Sequence, residues 1–147
     1  MTTARIIVSE TSGRWAFAFR TALANSGVSL TEVAGLAGAF ERLHDDSQAV
    51  LAFEASEAVA EEGMRRLQRS RRRNPRRGVI VLLDGALAAS ESLWREAGAV
   101  AVVASPRQLV PVARLIRRYF DTQETPPQTI REAVWHRMPW SESELQS

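Results

Sequence analysis

A chain of 147 residues with 45% hydrophobic and 24% charged side chains has the size and composition of one globular domain, and no apolar run approaches the length needed to cross a bilayer. It contains no cysteine, which excludes disulfides and thiolate chemistry, and no lysine, which excludes a Schiff base or a P-loop lysine. All 19 positive residues are arginine and eight of them fall within residues 65–77; without those eight the formal charge of +2 becomes −6, the charge of an acidic body carrying one basic patch.

The N-terminus, Met1-Thr2-Thr3-Ala4, has no apolar stretch of the signal-peptide kind, and a cytoplasmic location is the expectation. Arg5-Ile6-Ile7-Val8 reads as a first strand ending at Ser9-Glu10. Thr11-Ser12-Gly13 turns into a first helix with Trp15, Phe19, Ala22 and Leu23 at helical spacing, stopped by Asn25-Ser26-Gly27. Val28-Ser29-Leu30-Thr31 alternates apolar and polar, as a half-exposed edge strand does. Leu36, Phe40 and Leu43 form the stripe of a second helix that ends near His44-Asp45-Asp46-Ser47. Ala49-Val50-Leu51-Ala52-Phe53 is a third strand, ending at Glu54.

Ser56 reads as the N-cap of a third helix, with Val59, Ala60, Met64 and Leu67 on its buried face and Asn74-Pro75 as its stop. Val79-Ile80-Val81-Leu82-Leu83, between Gly78 and Asp84-Gly85, is apolar without alternation. It reads as a central strand buried on both faces of a parallel sheet. A fourth helix is expected over residues 87–97, with Leu93, Trp94 and Ala97 inward and Gly98 as its cap. Val100-Ala101-Val102-Val103 is the fifth strand, followed by Ala104-Ser105-Pro106. The fifth helix places Leu109, Val112, Ala113, Ile116 and Phe120 on one face, with Pro111 tolerated in the first turn.

Five strands alternating with five helices predict a doubly wound α/β fold with a five-stranded parallel sheet of order 2-1-3-4-5, a flavodoxin-like three-layer sandwich. A Rossmann half is disfavoured, because the first strand is followed by Ser9-Glu10-Thr11-Ser12-Gly13 and not by a Gly-x-Gly-x-x-Gly turn. This architecture, together with the segment Gly98-Ala99 to Ser105-Pro106, resembles the response-regulator receiver domain over residues 5–120.

The resemblance implies where the working parts of a receiver would lie. The acid pair that holds Mg²⁺ in the family corresponds to Glu10-Thr11, which keeps one carboxylate. The phosphoacceptor aspartate corresponds to Phe53 or, one residue on, Glu54; the Ser/Thr position to Leu83 or Asp84; and the lysine to Ser105. Phosphoryl transfer needs a nucleophile, a metal and a cation for the developing charge, and these positions do not supply that set. The expectation is therefore a degenerate receiver with no cofactor, acting as a stand-alone, phosphorylation-independent interaction or signalling module. It is not expected to be an enzyme. Its protein partner is not named by the residues, and a homodimer through the face of helix 4, strand 5 and helix 5 is one arrangement considered.

Two other readings stay open at this stage. Glu10, Glu54 and Asp84, at three strand ends, form a candidate Mg²⁺ or Ca²⁺ site for a metal-dependent enzyme, against the blander reading that they cap helices or face solvent. Arg65, Arg66, Arg69, Arg71, Arg72, Arg73, Arg76 and Arg77 form a candidate polyanion surface for a nucleic-acid-associated regulator, against the reading that they are a solvated helix end. Arg71, Arg72, Arg73, Arg76 and Arg77 lie off the buried stripe of helix 3, so the fold is expected not to need them. After Phe120 the composition changes: residues 121–128 read as a linker and residues 129–132 as a capping box opening a short helix. Residues 121–147 thus form a tail in which Trp135 and Trp140 are candidate partner-binding residues, against the blander reading that they fold back onto the domain.

Overall fold

The computed structural model describes residues 4–124. Five parallel strands, β1 (Arg5–Ser9), β2 (Ser29–Glu32), β3 (Ala49–Ala55), β4 (Val79–Leu83) and β5 (Ala101–Val103), form one sheet in the order β2-β1-β3-β4-β5. The helices are α1 (Arg14–Ala22), α2 (Leu36–Asp45), α3 (Ala60–Arg73), α4 (Glu91–Ala97) and α5 (Leu109–Glu124). The expected topology is the observed one.

Burial on both faces is why the central strands are apolar at every position. In β3 and β4, Val50, Ala52, Ile80 and Leu82 face one layer, where they pack with Trp15 and Phe19 of α1 and Ile116 and Phe120 of α5. Leu51, Phe53, Val79, Val81 and Leu83 face the other, against Phe40 and Leu43 of α2, Leu67 of α3 and Trp94 of α4. Each such large side chain contributes about 1.5–3 kcal/mol by leaving water. The register aligns the C-terminal ends: Ser9 stands opposite Phe53, Phe53 opposite Val81, and Glu54 opposite Leu82.

Four local expectations are corrected. Ser56 is not the cap of α3: its carbonyl accepts from Val59 N–H in a turn, and the helix starts at Ala60. The late start sets the helix face so that Gly63, Leu67 and Ser70 are buried, and Gly63 lies against the Phe53 ring, where an added Cβ would come within 2.8 Å of Cε2. The fourth helix is shorter than expected, because residues Gly85–Ser90 form a 3-10 segment and only Glu91–Ala97 is α-helical; Leu93 turns outward and is 57% exposed. Alanines at 86, 88 and 89 read as helix in sequence but supply nothing to anchor it to the sheet. Val100 lies outside β5 and is 47% exposed. Finally, α5 runs on to Glu124, through residues assigned to a linker, since neither Gly nor Pro interrupts it there.

Candidate functional site

The loops above the strand C-termini are where this topology places its sites, and Glu10 and Glu54 do converge there. Glu10 follows β1. Gly13, at φ +80°, turns the chain so that α1 starts over this carboxylate. Glu10 Oε1 accepts from Trp15 N–H at 2.9 Å and Oε2 from Ala16 N–H at 2.7 Å, while the Ser12 hydroxyl donates to Oε1 at 3.4 Å. A carboxylate on the first free N–H groups of a helix, at the positive end of its dipole, is a structural cap.

Glu54 is held from the same helix. The buried Trp15 donates its indole N–H to Glu54 Oε2 at 2.9 Å, and Thr11 Oγ1 donates to Oε1 at 3.4 Å. The Arg14 guanidinium lies 5.2 Å from the centre of the Trp15 ring. Thr11, Trp15, Glu10 and Glu54 therefore form one network in which the two carboxylates are already engaged by protein donors. Trp15 is the member that sequence reasoning placed only in the core; the signal was that a buried indole needs an acceptor for its N–H.

The other receiver positions are occupied by packing and capping. Phe53 is 0% exposed, with ring centroids 5.7 Å from Phe40 and 5.9 Å from Trp94. Leu83 is fully buried. Asp84 is exposed; its backbone carbonyl accepts from Leu87 N–H and opens the 3-10 segment. Ser105 caps the 3-10 turn Pro106–Gln108, its hydroxyl accepting from Arg107 N–H at 3.3 Å. The three carboxylates considered for a metal site do not come together, and among the described residues no group of three or more His, Asp or Glu is placed to hold a metal ion.

Within the arginine window three side chains make contacts of their own. Arg66 pairs with Glu62 at 2.8 Å, one helical turn away. Arg77 donates to the carbonyls of Asp46 and His44, tying the loop between α3 and β4 to the end of α2. Arg71 lies against Gly98, which has φ +119° and no room for a Cβ beneath that side chain. Arg71 and Arg77 thus make contacts with neighbouring segments that their place off the buried stripe of α3 does not suggest. Arg65, Arg69, Arg72, Arg73 and Arg76 are exposed. Trp135 and Trp140 lie outside the described residues.

A cavity of about 800 Å³ opens at the opposite end of the sheet, walled by Val50, Ile80, Val100, Leu115, Ile116 and Tyr119, with Arg76 and Arg118 also in its lining. It was not foreseen, because its walls come from four separated segments.

No protein-family model matches the chain. No curated protein matches it either. Solved structures do. The chain is similar to a CheY-like response regulator receiver domain protein from Methanospirillum hungatei JF-1, with 17% identity and a TM-score of 0.62 over 83% of this chain and 99% of the other. A response regulator from Thermotoga maritima matches with 21% identity and a TM-score of 0.62, over 82% and 99%. The beryllofluoride-activated NtrC4 receiver domain dimer matches with 14% identity and a TM-score of 0.66, over 81% and 98%. The chain has the fold of a response-regulator receiver domain.

Proposed function

We propose that this protein is a pseudo-receiver, a signalling module that works by docking to protein without being phosphorylated. The observation that carries the reading is the engagement of Glu10 and Glu54. Glu10 spends both oxygens on the α1 N-terminus and Glu54 spends its own on Trp15 and Thr11. A phosphoacceptor must present a free carboxylate oxygen beside a metal and a cation. Here the acceptor position is either a buried phenyl ring or a glutamate already bonded, and the cation position is a serine that caps a turn.

The docking surface we assign is the face of α4, β5 and α5. β5 is an edge strand of three residues, and Leu93, Val100 and Leu115 stand exposed around it at 57%, 47% and 39%. Large apolar side chains exposed on the elements that flank a sheet edge are a cue for association. A similar receiver domain is described as a dimer, and a second copy of this chain is the occupant proposed here. Trp135 and Trp140 are assigned to further partner contacts.

Sedimentation equilibrium tests this surface. The wild-type protein should be dimeric with or without a phosphodonor, and Leu93→Glu with Leu115→Glu should give a folded monomer. A wild-type protein that stays monomeric, or dimerises only with a phosphodonor, contradicts the proposal.

A further inference from the structure

The arginines of residues 65–77 are not evenly spread. Arg66, Arg69 and Arg73 recur at helical spacing and line one recess of about 200 Å³ between α3 and α2, with His44 and Glu41 in the facing wall and Ser70 between the arginines. Arg69 and Arg73 make no ion pair or hydrogen bond within the described residues. Arg66 engages Glu62 through Nε, which leaves its terminal nitrogens free to donate. Ser70 is 7% exposed as a residue, and its hydroxyl, which makes no hydrogen bond among the described residues, is the part open to solvent.

The helix dipole favours a cation near the end of α3. It does not account for three guanidinium groups along one wall with a solvent-accessible, unbonded hydroxyl among them. Like charges so placed repel weakly in solvent, and a shared anion turns that repulsion into attraction. We propose that this recess binds the phosphoryl group of a small phosphomonoester. Guanidinium forks match a tetrahedral dianion, which offers several oxygens to donors arriving from different directions. The Ser70 hydroxyl supplies a further neutral donor. The volume, about seven waters at ~30 Å³ each, takes a phosphoryl group and a few attached atoms. Glu41 in the opposite wall disfavours a continuous polyanion lying along α2, and it accepts a hydroxyl or amine of a small ligand instead. The recess lies between α2 and α3, apart from the Glu10–Glu54 network and independent of how that network is read.

The test is an NMR titration of the full chain with inorganic phosphate and phenyl phosphate, with acetate as the control anion and a single-stranded DNA oligomer as the competing class, at fixed ionic strength. The amides of His44, Arg69, Ser70 and Arg73 should shift saturably with both phosphates and stay put with acetate. Arg69→Ser with Arg73→Ser should weaken phosphate binding at least about tenfold, whereas Arg72→Ser with Arg76→Ser should leave it unchanged. Ser70→Ala removes no charge and should weaken binding about threefold or more with the rest of the spectrum preserved. Shifts that grow linearly without saturating, or spread evenly over Arg65, Arg72 and Arg76, would overturn the proposal. So would DNA binding that exceeds phosphate binding and survives Arg69→Ser with Arg73→Ser.

Discussion

Phe53→Asp, which puts an acid at one of the two positions proposed to correspond to the receiver phosphoacceptor, should leave the domain unfolded and not equip it. The ring is fully buried between Phe40 and Trp94. Deleting a buried phenyl typically costs about 3–5 kcal/mol, and burying an unpaired carboxylate in its place adds several more. Together these approach or exceed the roughly 5–15 kcal/mol that holds a domain folded. Circular dichroism should show no cooperative thermal transition, whereas a folded variant melting within a few degrees of wild type would refute the packing account.

Glu10→Ala should be the most damaging change among the strand-end acids. It removes the acceptor of two N–H bonds, at 2.9 and 2.7 Å, from the start of α1. Helix caps are worth about 0.5–2 kcal/mol, and a charged acceptor for two donors belongs at the upper end, about 2 kcal/mol. For a chain of this length that lowers the melting temperature by about 4–8 °C. Glu10→Gln, which keeps an acceptor for only one of the two donors, should lose about half as much. Asp84→Ala, at an exposed carboxylate, should lose almost nothing, and equal losses at the two positions would mean that Glu10 is not a cap.

The strands were legible because a parallel sheet covered on both faces demands unbroken apolar runs, and Val79 to Leu83 has no other economical explanation. The helix starts were less legible, since they depend on what the helix meets. Ser56 has the chemistry of a cap, but contact of Gly63 with Phe53 sets where α3 lies. The acids at the strand ends could be picked out by position alone. What they do could not, because the Trp15–Glu54 bond joins residues 39 apart. The arginines were legible as a count; their division into a tie to α2, a contact over Gly98 and an open recess required the packing of α2 against α3.

The central claim, that signalling here does not run through phosphorylation, is tested most directly by recording amide NMR spectra of the protein with and without Mg²⁺ and beryllofluoride. On the proposed correspondence, Phe53 or Glu54, Leu83 or Asp84, and Ser105 stand at the nucleophile, hydroxyl and cation positions, and Glu10 and Glu54 are held by α1 and the turn before it. The spectra should superimpose, with Glu10, Glu54, Asp84 and Ser105 unmoved. A concerted, saturable shift of those four amides would contradict the account and make Glu54 a working acceptor.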